Sequence, residues 1–520
     1  MVRAQSAGLA SRARPVRPVW APVLASGVTA LLIGAGVGGA SRIGSLPTAR
    51  AGGPGSFTAP ASPITDSDAL RLMDALVSSR GEAKGALKTI VAAHDMRFVA
   101  ALIEVLRASQ VGAIDGPGAA MVVHPLEALS GKQFGDDWPA WVEWYGTTAL
   151  VPPPGFVGWK GRLLGRIDPR FRGFLSDDLP ARLRVEEIQW GGVGVDGIPA
   201  LTRPRTIPAS FATYLEPGDP VFGLAIDGYA RAYPLRIMDW HEMVNDRVGS
   251  TPISIAYCTL CGAGIAYEGR AADGHTYTFG NSGLLYRSNK LMYDHQTHTL
   301  WNQFTGEPVL GRLAGTGLRL TLRPLVLSTW REWVSEHPET KVLDLRTGYD
   351  RVYAPGAAYG SYFASKDTMF PVWRRSHALP QKALVFALRV EGMPKAYPIE
   401  SLVARRVVND AVGGTAVVLT AIRGTVTVAG QHEGGQLDRT RASSVAYTAG
   451  AEVRAYARGQ ERFRPGPSAG TLLDGSGRPW WITEEALIGP GGAREPRLPG
   501  FLTYWFAWYE FFPQTLVYAP

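Results

Sequence analysis

Residues 221–250, VFGLAIDGYARAYPLRIMDWHEMVNDRVGS, decide how this chain is read, because residues 385–414, VFALRVEGMPKAYPIESLVARRVVNDAVGG, align with them without a gap at a constant offset of 164. Twelve of the 30 positions are identical. The shared residues are the apolar Val, Phe and Leu, the glycines Gly228 and Gly392, Ala-Tyr-Pro at 232–234 and 396–398, and Val-Asn-Asp at 244–246 and 408–410. Such residues build turns and cores. The positions that differ carry chemistry: His241 faces Arg405, Glu242 faces Arg406, Trp240 faces Ala404 and Cys258 faces Ile422. The chain reads as an internal duplication in which one copy is a control for the other, since groups needed only for folding would be kept in both.

The repeat extends further with changing offsets. Asp294 and Trp301 align with Asp474 and Trp481 at 180, and TWREWVSEHPETKVL (329–343) aligns with YWFAWYEFFPQTLVY (504–518) at 175. His295 and His298 meet Gly475 and Arg478, so they too are absent from the second copy.

Within each copy, alternating apolar segments are cut by Gly, Pro, Asp and Asn. VFGLAI, then Asp227-Gly228, then YARAYP predicts a strand, a two-residue turn and a strand, because Asp-Gly tolerates the positive φ that such a hairpin requires. A helical turn over PLRIMDWHEMVND and a strand PISIAY running into Cys258 follow. In the second copy the connection after the equivalent strand is expected to be about three residues shorter. Residues 64–150 are different in kind: Leu70, Met73, Leu76 and Val77, then Phe98, Leu102, Val105 and Leu106, recur at three and four and predict helices. Trp138, Trp141 and Trp144 form a stripe that reads as a core-facing helix edge, with a ligand platform as the alternative. Residues 151–184 read as a linker with an amphipathic piece near Trp159 to Phe174. The fold class is therefore α+β: a small α-helical domain over 64–150, then a mainly β duplicated module with copy 1 at 185–384 and copy 2 at 385–520.

At 520 residues, 46% hydrophobic and 19% charged, the chain is long and apolar enough for large cores. Lys plus Arg less Asp plus Glu is 53 − 45 = +8, with the arginines scattered rather than clustered with aromatics, so no nucleic-acid partner is expected. Residues 1–50 read as a signal peptide or an N-terminal membrane anchor. Arg3, Arg12, Arg14 and Arg17 precede an uncharged stretch whose 21 residues from 19 to 39 suffice to cross a bilayer. Residues 51–63 read as a tether. The body is expected outside the cytoplasm, secreted or anchored.

The sharpest motif is YCTLCG at 257–262, which holds both cysteines of the chain. Two sulfurs two residues apart at a strand end, followed by glycine, suit a metal knuckle. With two cysteines a four-cysteine zinc site is excluded, so a metal would need other ligands, and His241, His295 and His298 are the candidates. The same pair suits a redox couple or an inert structural disulfide, and spacing leaves all three open. His241 lies in HEMVN, but Asn245 stands where a zinc protease has its second histidine and recurs as Asn409, which makes it scaffold. Glu242 is the candidate base or orienting group.

The stretches AYPLRIMDWHEMVND, YCTLCG and SGLLYRSNKLMYDHQTHTLWNQFTGEPVLG resemble the bacterial and archaeal domain-of-unknown-function family 3179, over about residues 185–518. The resemblance implies an extracytoplasmic location in many members and no established activity. Members usually read YCPLCG, where this chain has Thr259. The expected function is a metal-binding protein with copper or zinc held by Cys258, Cys261 and His241, and with His295, His298 or Asp294 completing or flanking the site. The alternatives are a CxxC thiol-disulfide oxidoreductase, and a non-enzymatic binding module with a structural disulfide whose aromatic surface comprises Trp301, Trp330, Trp333, Trp505 and Trp508.

Overall fold

The computed structural model describes residues 64–116, 118–433 and 441–519. The expected export or anchoring segment (1–50) and tether (51–63) lie outside the described residues. No helix among the described residues is long and apolar enough to cross a membrane.

A helical N-terminal region precedes a mostly β region. Its helices are α1 (Asp66–Leu76), α2 (Arg80–Ala93), α3 (Val99–Gln110), α4 (Ala119–Ser130) and α5 (Trp138–Gly146). Caps start them: the Thr65 side chain accepts from Asp68 N, and Ser79 with Glu82 forms a capping box. Met73, Leu76, Phe98, Leu102, Val105 and Leu106 are buried as their spacing requires. Trp138 and Trp141 are buried with them, so the stripe is core.

Residues 151–184, expected as a linker with an amphipathic piece near Trp159 to Phe174, are helical where that piece was expected. They hold α6 (Phe156–Leu164) and α7 (Phe171–Phe174). Trp159 donates to Met73 O at 2.8 Å, and the fully buried Lys160 ion-pairs with Glu104 at 2.7 Å while donating to Val185 O at 3.1 Å. Proline and glycine suggested a linker, but the apolar face of Phe156, Trp159, Leu163 and Leu164 docks on the bundle.

The β region begins with β1 (Ile188–Trp190), β2 (Leu201–Thr202), β3 (Thr206–Pro208), β4 (Pro220–Ile226) and β5 (Tyr229–Pro234). Helix α8 (Leu235–His241) leads into β6 (Met243–Val248), β7 (Thr251–Cys258) and β8 (Ala263–Glu268). There follow β9 (Phe279–Tyr286), β10 (Asn289–Asp294), β11 (Leu300–Asn302), β12 (Pro308–Leu310), β13 (Leu322–Arg323), β14 (Val326–Thr329), α9 (Trp330–Glu336), β15 (Lys341–Leu343) and α10 (Gly360–Ala364). They make three sheets, ordered β14-β4-β5-β15-β3, β13-β8-β7-β6-β2 and β1-β9-β10-β11-β12.

The remaining elements open with β16 (Leu384–Val390), β17 (Met393–Pro398), α11 (Ile399–Arg405), β18 (Val407–Val412) and β19 (Thr415–Thr420). Each starts 164 residues after β4, β5, α8, β6 and β7 respectively. Both hairpins turn on two positive-φ residues, 50° and 79° at Asp227 and Gly228, and 50° and 81° at Glu391 and Gly392. Their registers match, Val221 opposite Pro234 and Val385 opposite Pro398.

Beyond β19 come the hairpin β20 (Thr425–His432) and β21 (Ser443–Ala451), then β22 (Arg454–Ala457), β23 (Arg464–Pro465), β24 (Thr471–Leu473), β25 (Pro479–Ile482), β26 (Ala486–Ile488), β27 (Arg494–Leu498), β28 (Phe501–Tyr504), α12 (Trp505–Phe511) and β29 (Leu516–Val517). The partner of β19 is β22, as β8 is of β7. The expected shorter connection is therefore a longer one: β20 and β21 pair with each other and leave the sheet between β19 and β22. One hydrophobic core runs through both halves, joining Phe222, Tyr233 and Ile255 to Phe386, Tyr397 and Leu419. The halves share a body instead of forming two lobes.

Candidate functional site

Residues common to the two halves make matching scaffold contacts. Asn245 donates to Phe279 O (2.8 Å) and accepts from Phe279 N (2.9 Å); Asn409 does the same with Phe463 at 2.7 and 2.8 Å. Tyr233 donates to Asp246, and Tyr397 to Asp410, each at 2.9 Å. Trp333 donates to Thr340 at 3.0 Å and Trp508 to Thr515 at 2.9 Å. Asp294 accepts from Trp301 at 2.8 Å, and Asp474 from Trp480 at 3.1 Å. The indole matching Trp301 is thus Trp480. Trp481, which the alignment selected, points to solvent at 51% exposure because the second turn is one residue shorter. Trp301, Trp330, Trp333, Trp505 and Trp508 are all buried, so they form no aromatic docking surface.

The YCTLCG turn lies where β7 ends. Residues Thr259–Cys261 make one 3-10 turn, which Gly262 at φ 63° caps before β8 begins. A side chain at Gly262 would be strained by that φ and would press on the Tyr504 ring, 3.2 Å from an ideal Cβ. Cys258 and Cys261 are joined as a disulfide with Cα atoms 5.3 Å apart, and both are buried. Every part of the turn is held. Thr259 Oγ1 donates to Glu242 Oε1 at 2.6 Å, Tyr362 OH to Leu260 O at 2.6 Å, and Thr503 Oγ1 to Cys261 O at 3.1 Å. Asn289 Nδ2 donates to Cys261 Sγ at 3.4 Å. Leu260 and Gly262 are the partly exposed points of this turn.

Glu242 connects the turn to a buried polar cluster. It caps α8 in the left-handed region (φ 56°), and Arg406 does so after α11 (φ 64°); the bend belongs to the scaffold and only the side chain changes. Besides Thr259, its carboxylate accepts from Tyr359 OH at 3.3 Å and pairs with Lys290 at 3.3 Å. Lys290 also donates to Glu242 O at 3.1 Å and to Asn281 Oδ1. Burial pushes the Lys290 ammonium below its ordinary pKa, and Glu242 opposes that shift. Asp239, one turn earlier on α8, is buried with Oδ1 unpartnered. Burial first, then the neighbouring Glu242 charge, raises its pKa well above the ordinary carboxylate range. Its charge acts on Tyr257, Tyr447 and Tyr504, and the last two come from the second half. Glu242 thus joins a buried ion pair to the Thr259 hydroxyl of the cysteine turn, and its charge also acts on the buried Asp239 carboxyl.

The histidines lie elsewhere. His241 is fully buried with both ring nitrogens engaged, Nδ1 to Pro199 O at 2.8 Å and Nε2 to Tyr353 OH at 2.6 Å. Burial, aided by Arg351 and opposed by the Pro199 hydrogen bond, lowers its pKa to about 4, so it is neutral at pH 7. His295 and His298 are exposed on the turn after β10, and Asp294 is fully used in capping that turn through Thr297, Thr299 and Trp301. The expected ligand set is therefore not gathered: Cys258, Cys261 and His241 do not bring their ligand atoms within 4.8 Å of one another. Among the described residues, the His/Cys/Asp/Glu group that does so is Glu336, His337 and Glu484. Its carboxylates are already paired with Arg454, at 2.9 and 2.6 Å. Sequence reasoning overlooked Asp239, although Val403 stands opposite it at the same offset of 164, and it overlooked Lys290 and Tyr359, whose approach is set by tertiary structure.

A family model described as "Protein of unknown function (DUF3179)" matches residues 195–515. The match spans both β halves and leaves the helical region outside. No curated protein and no solved structure matches the chain.

Proposed function

The chain belongs to the DUF3179 family, whose description assigns no activity, and from the geometry of its own site we propose a thiol-disulfide redox protein with Cys258 and Cys261 as the reacting pair. The observation that carries this reading is the hydrogen bond from Thr259, inside the CxxC turn, to Glu242, which ties the sulfurs to a buried acid cluster. In the reductive direction a thiolate of a partner dithiol attacks one sulfur of the Cys258–Cys261 bond. That bond breaks, a mixed disulfide forms, and the leaving thiolate takes a proton. The partner's second thiol then resolves the mixed disulfide, so two electrons and two protons pass to the cysteines and the partner leaves as a disulfide. In this proposal the proton comes from Asp239, whose pKa burial and the Glu242 charge raise.

The two β halves are inferred to be duplicates of one module, with the centre kept in the first; the matched hydrogen bonds of Asn245 and Asn409 support this reading. An extracytoplasmic location, by cleaved signal or retained anchor, belongs to the same proposal because disulfides persist in oxidising compartments.

A second reading keeps copper or zinc as cofactor on the reduced cysteines. It is favoured by the convergence of both sulfurs and by the Asn289 amide donating to Cys261, as an outer-sphere partner would. Elemental analysis of untagged protein beside a Cys258→Ser/Cys261→Ser variant separates the two. Equal, negligible metal in both supports the redox reading; stoichiometric metal lost only in the variant overturns it.

A further inference from the structure

Two side-chain amides stand beside the disulfide, Asn289 and Gln303, both buried at 1% and 0% exposure. Gln303 Nε2 donates to Ala256 O at 2.8 Å and to Ala263 O at 2.9 Å, on the strands that enter and leave the cysteine turn. Both of its amide hydrogens are thereby committed, and Gln303 has only Oε1 to offer a neighbour. Asn289 must meet that oxygen with its NH2 group, which it does at 2.6 Å, and the same nitrogen lies 3.4 Å from Cys261 Sγ. Two backbone carbonyls thus set the direction of an N–H aimed at one sulfur. Cys261 Sγ also lies 3.1 Å from Ser288 O, and Ser288 is held in turn by its N–H donating to Glu510 at 3.0 Å. Among the described residues Cys258 Sγ has no polar partner of either kind. At the offsets of 180 and 179 that place Asp474 against Asp294 and Trp480 against Trp301, Asn289 and Gln303 meet Ala469 and Ile482. The half without sulfurs lacks both amides.

A disulfide whose sulfurs differ in this way has a built-in polarity. An N–H donor stabilises a thiolate more than a disulfide sulfur, so cleavage is favoured towards the sulfur that has one. We propose that Asn289, oriented by Gln303, makes Cys261 the sulfur that leaves, so that the mixed disulfide with a partner thiol forms on Cys258. This inference rests on the redox reading. The partner thiolate bonds to Cys258 Sγ, the Cys258–Cys261 bond breaks with its electron pair passing to Cys261, and Asn289 donates to the thiolate as it forms. Once that thiolate has taken its proton, the Cys261 S–H donates to Ser288 O. Asn289 touches the reacting sulfur and is a catalytic residue; Gln303 acts through it and is a positioning residue.

Folded full chain is mixed with limiting reduced glutathione, quenched in acid and mapped by peptide mass spectrometry. Glutathione is expected on Cys258. In a Cys258→Ala background, Asn289→Ala and Gln303→Ala each raise the pH of half-maximal alkylation of Cys261 by about one unit. In the otherwise unchanged chain each slows reduction by a small dithiol about threefold or more. Circular dichroism melting identifies the folded variants, and should neither amide variant fold, the position of glutathione on the parent chain decides alone. Glutathione on Cys261, or an unchanged alkylation midpoint in folded variants, overturns the inference and leaves the redox reading standing. Failure of the folded parent chain to react with either thiol overturns both.

Discussion

At the scale of single residues, the strand–turn–strand–helix segments 221–250 and 385–414 have matching backbones and differ in a handful of side chains. Glu242 and Arg406 occupy the same left-handed bend, yet only the first reaches into the disulfide turn. Asp239 is the residue on which the proton chemistry depends. Asp239→Asn is expected to slow thiol exchange and to flatten its pH dependence, while leaving the reduction potential little changed; stopped-flow exchange with a small dithiol checks this. His241 has a structural role with a definite pH signature. Its folded pKa of about 4 lies below the ordinary 6.5, so the unfolded chain binds the extra proton between those values. The contribution is complete above pH 6.5 and is lost as pH falls towards 4, amounting to about 3 kcal/mol. Urea unfolding of His241→Gln from pH 7 to 4 should show a shallower loss of stability than the parent chain. The sequence displayed His241 as a candidate ligand because a residue type is visible there. Its two engaged nitrogens were not, since Pro199 and Tyr353 lie 42 and 112 residues away.

At the scale of elements, strand, turn and short helix were legible wherever the determinants are local. Asp227-Gly228 and Glu391-Gly392 set their hairpins by turn chemistry, and Asn245 could be assigned to the scaffold because Asn409 repeats it. Asn245→Leu and Asn409→Leu should each cost about 2–3 kcal/mol, since each strips a backbone donor and acceptor of its partner; chemical denaturation of the two variants measures it, and a marked difference between them would count against equivalent roles. Pairing between strands was not legible. The connection after β19 was expected to be about three residues shorter, and only the long-range match of β20 with β21 and of β19 with β22 reveals a hairpin inserted at the place of the cysteine turn. Helix α10 contributes Tyr362, whose hydroxyl pins the carbonyl of partly exposed Leu260. Tyr362→Phe is expected to speed reduction of the disulfide by about tenfold without altering its potential, read by alkylation kinetics in limiting dithiol.

At the scale of the whole molecule, the halves share one core, and the second supplies Tyr447 and Tyr504 to the acid cluster of the first. The half without sulfurs thus helps enclose the centre of the half that has them. The α+β class and the helical start were legible from apolar periodicity, which burial enforces over long segments. The docking of residues 151–184 was not, because Gly and Pro mark breaks in local structure and say nothing of what packs across them. The central claim is that a buried disulfide exchanges electrons in the native protein. The measurement that tests it most directly is equilibration of folded protein across a series of dithiol redox buffers, with mass-spectrometric counting of alkylated cysteines. A reversible two-electron transition with Cys258 and Cys261 reacting together, at a potential above about −300 mV, is predicted. Cysteines that become reactive only when the protein unfolds would contradict it.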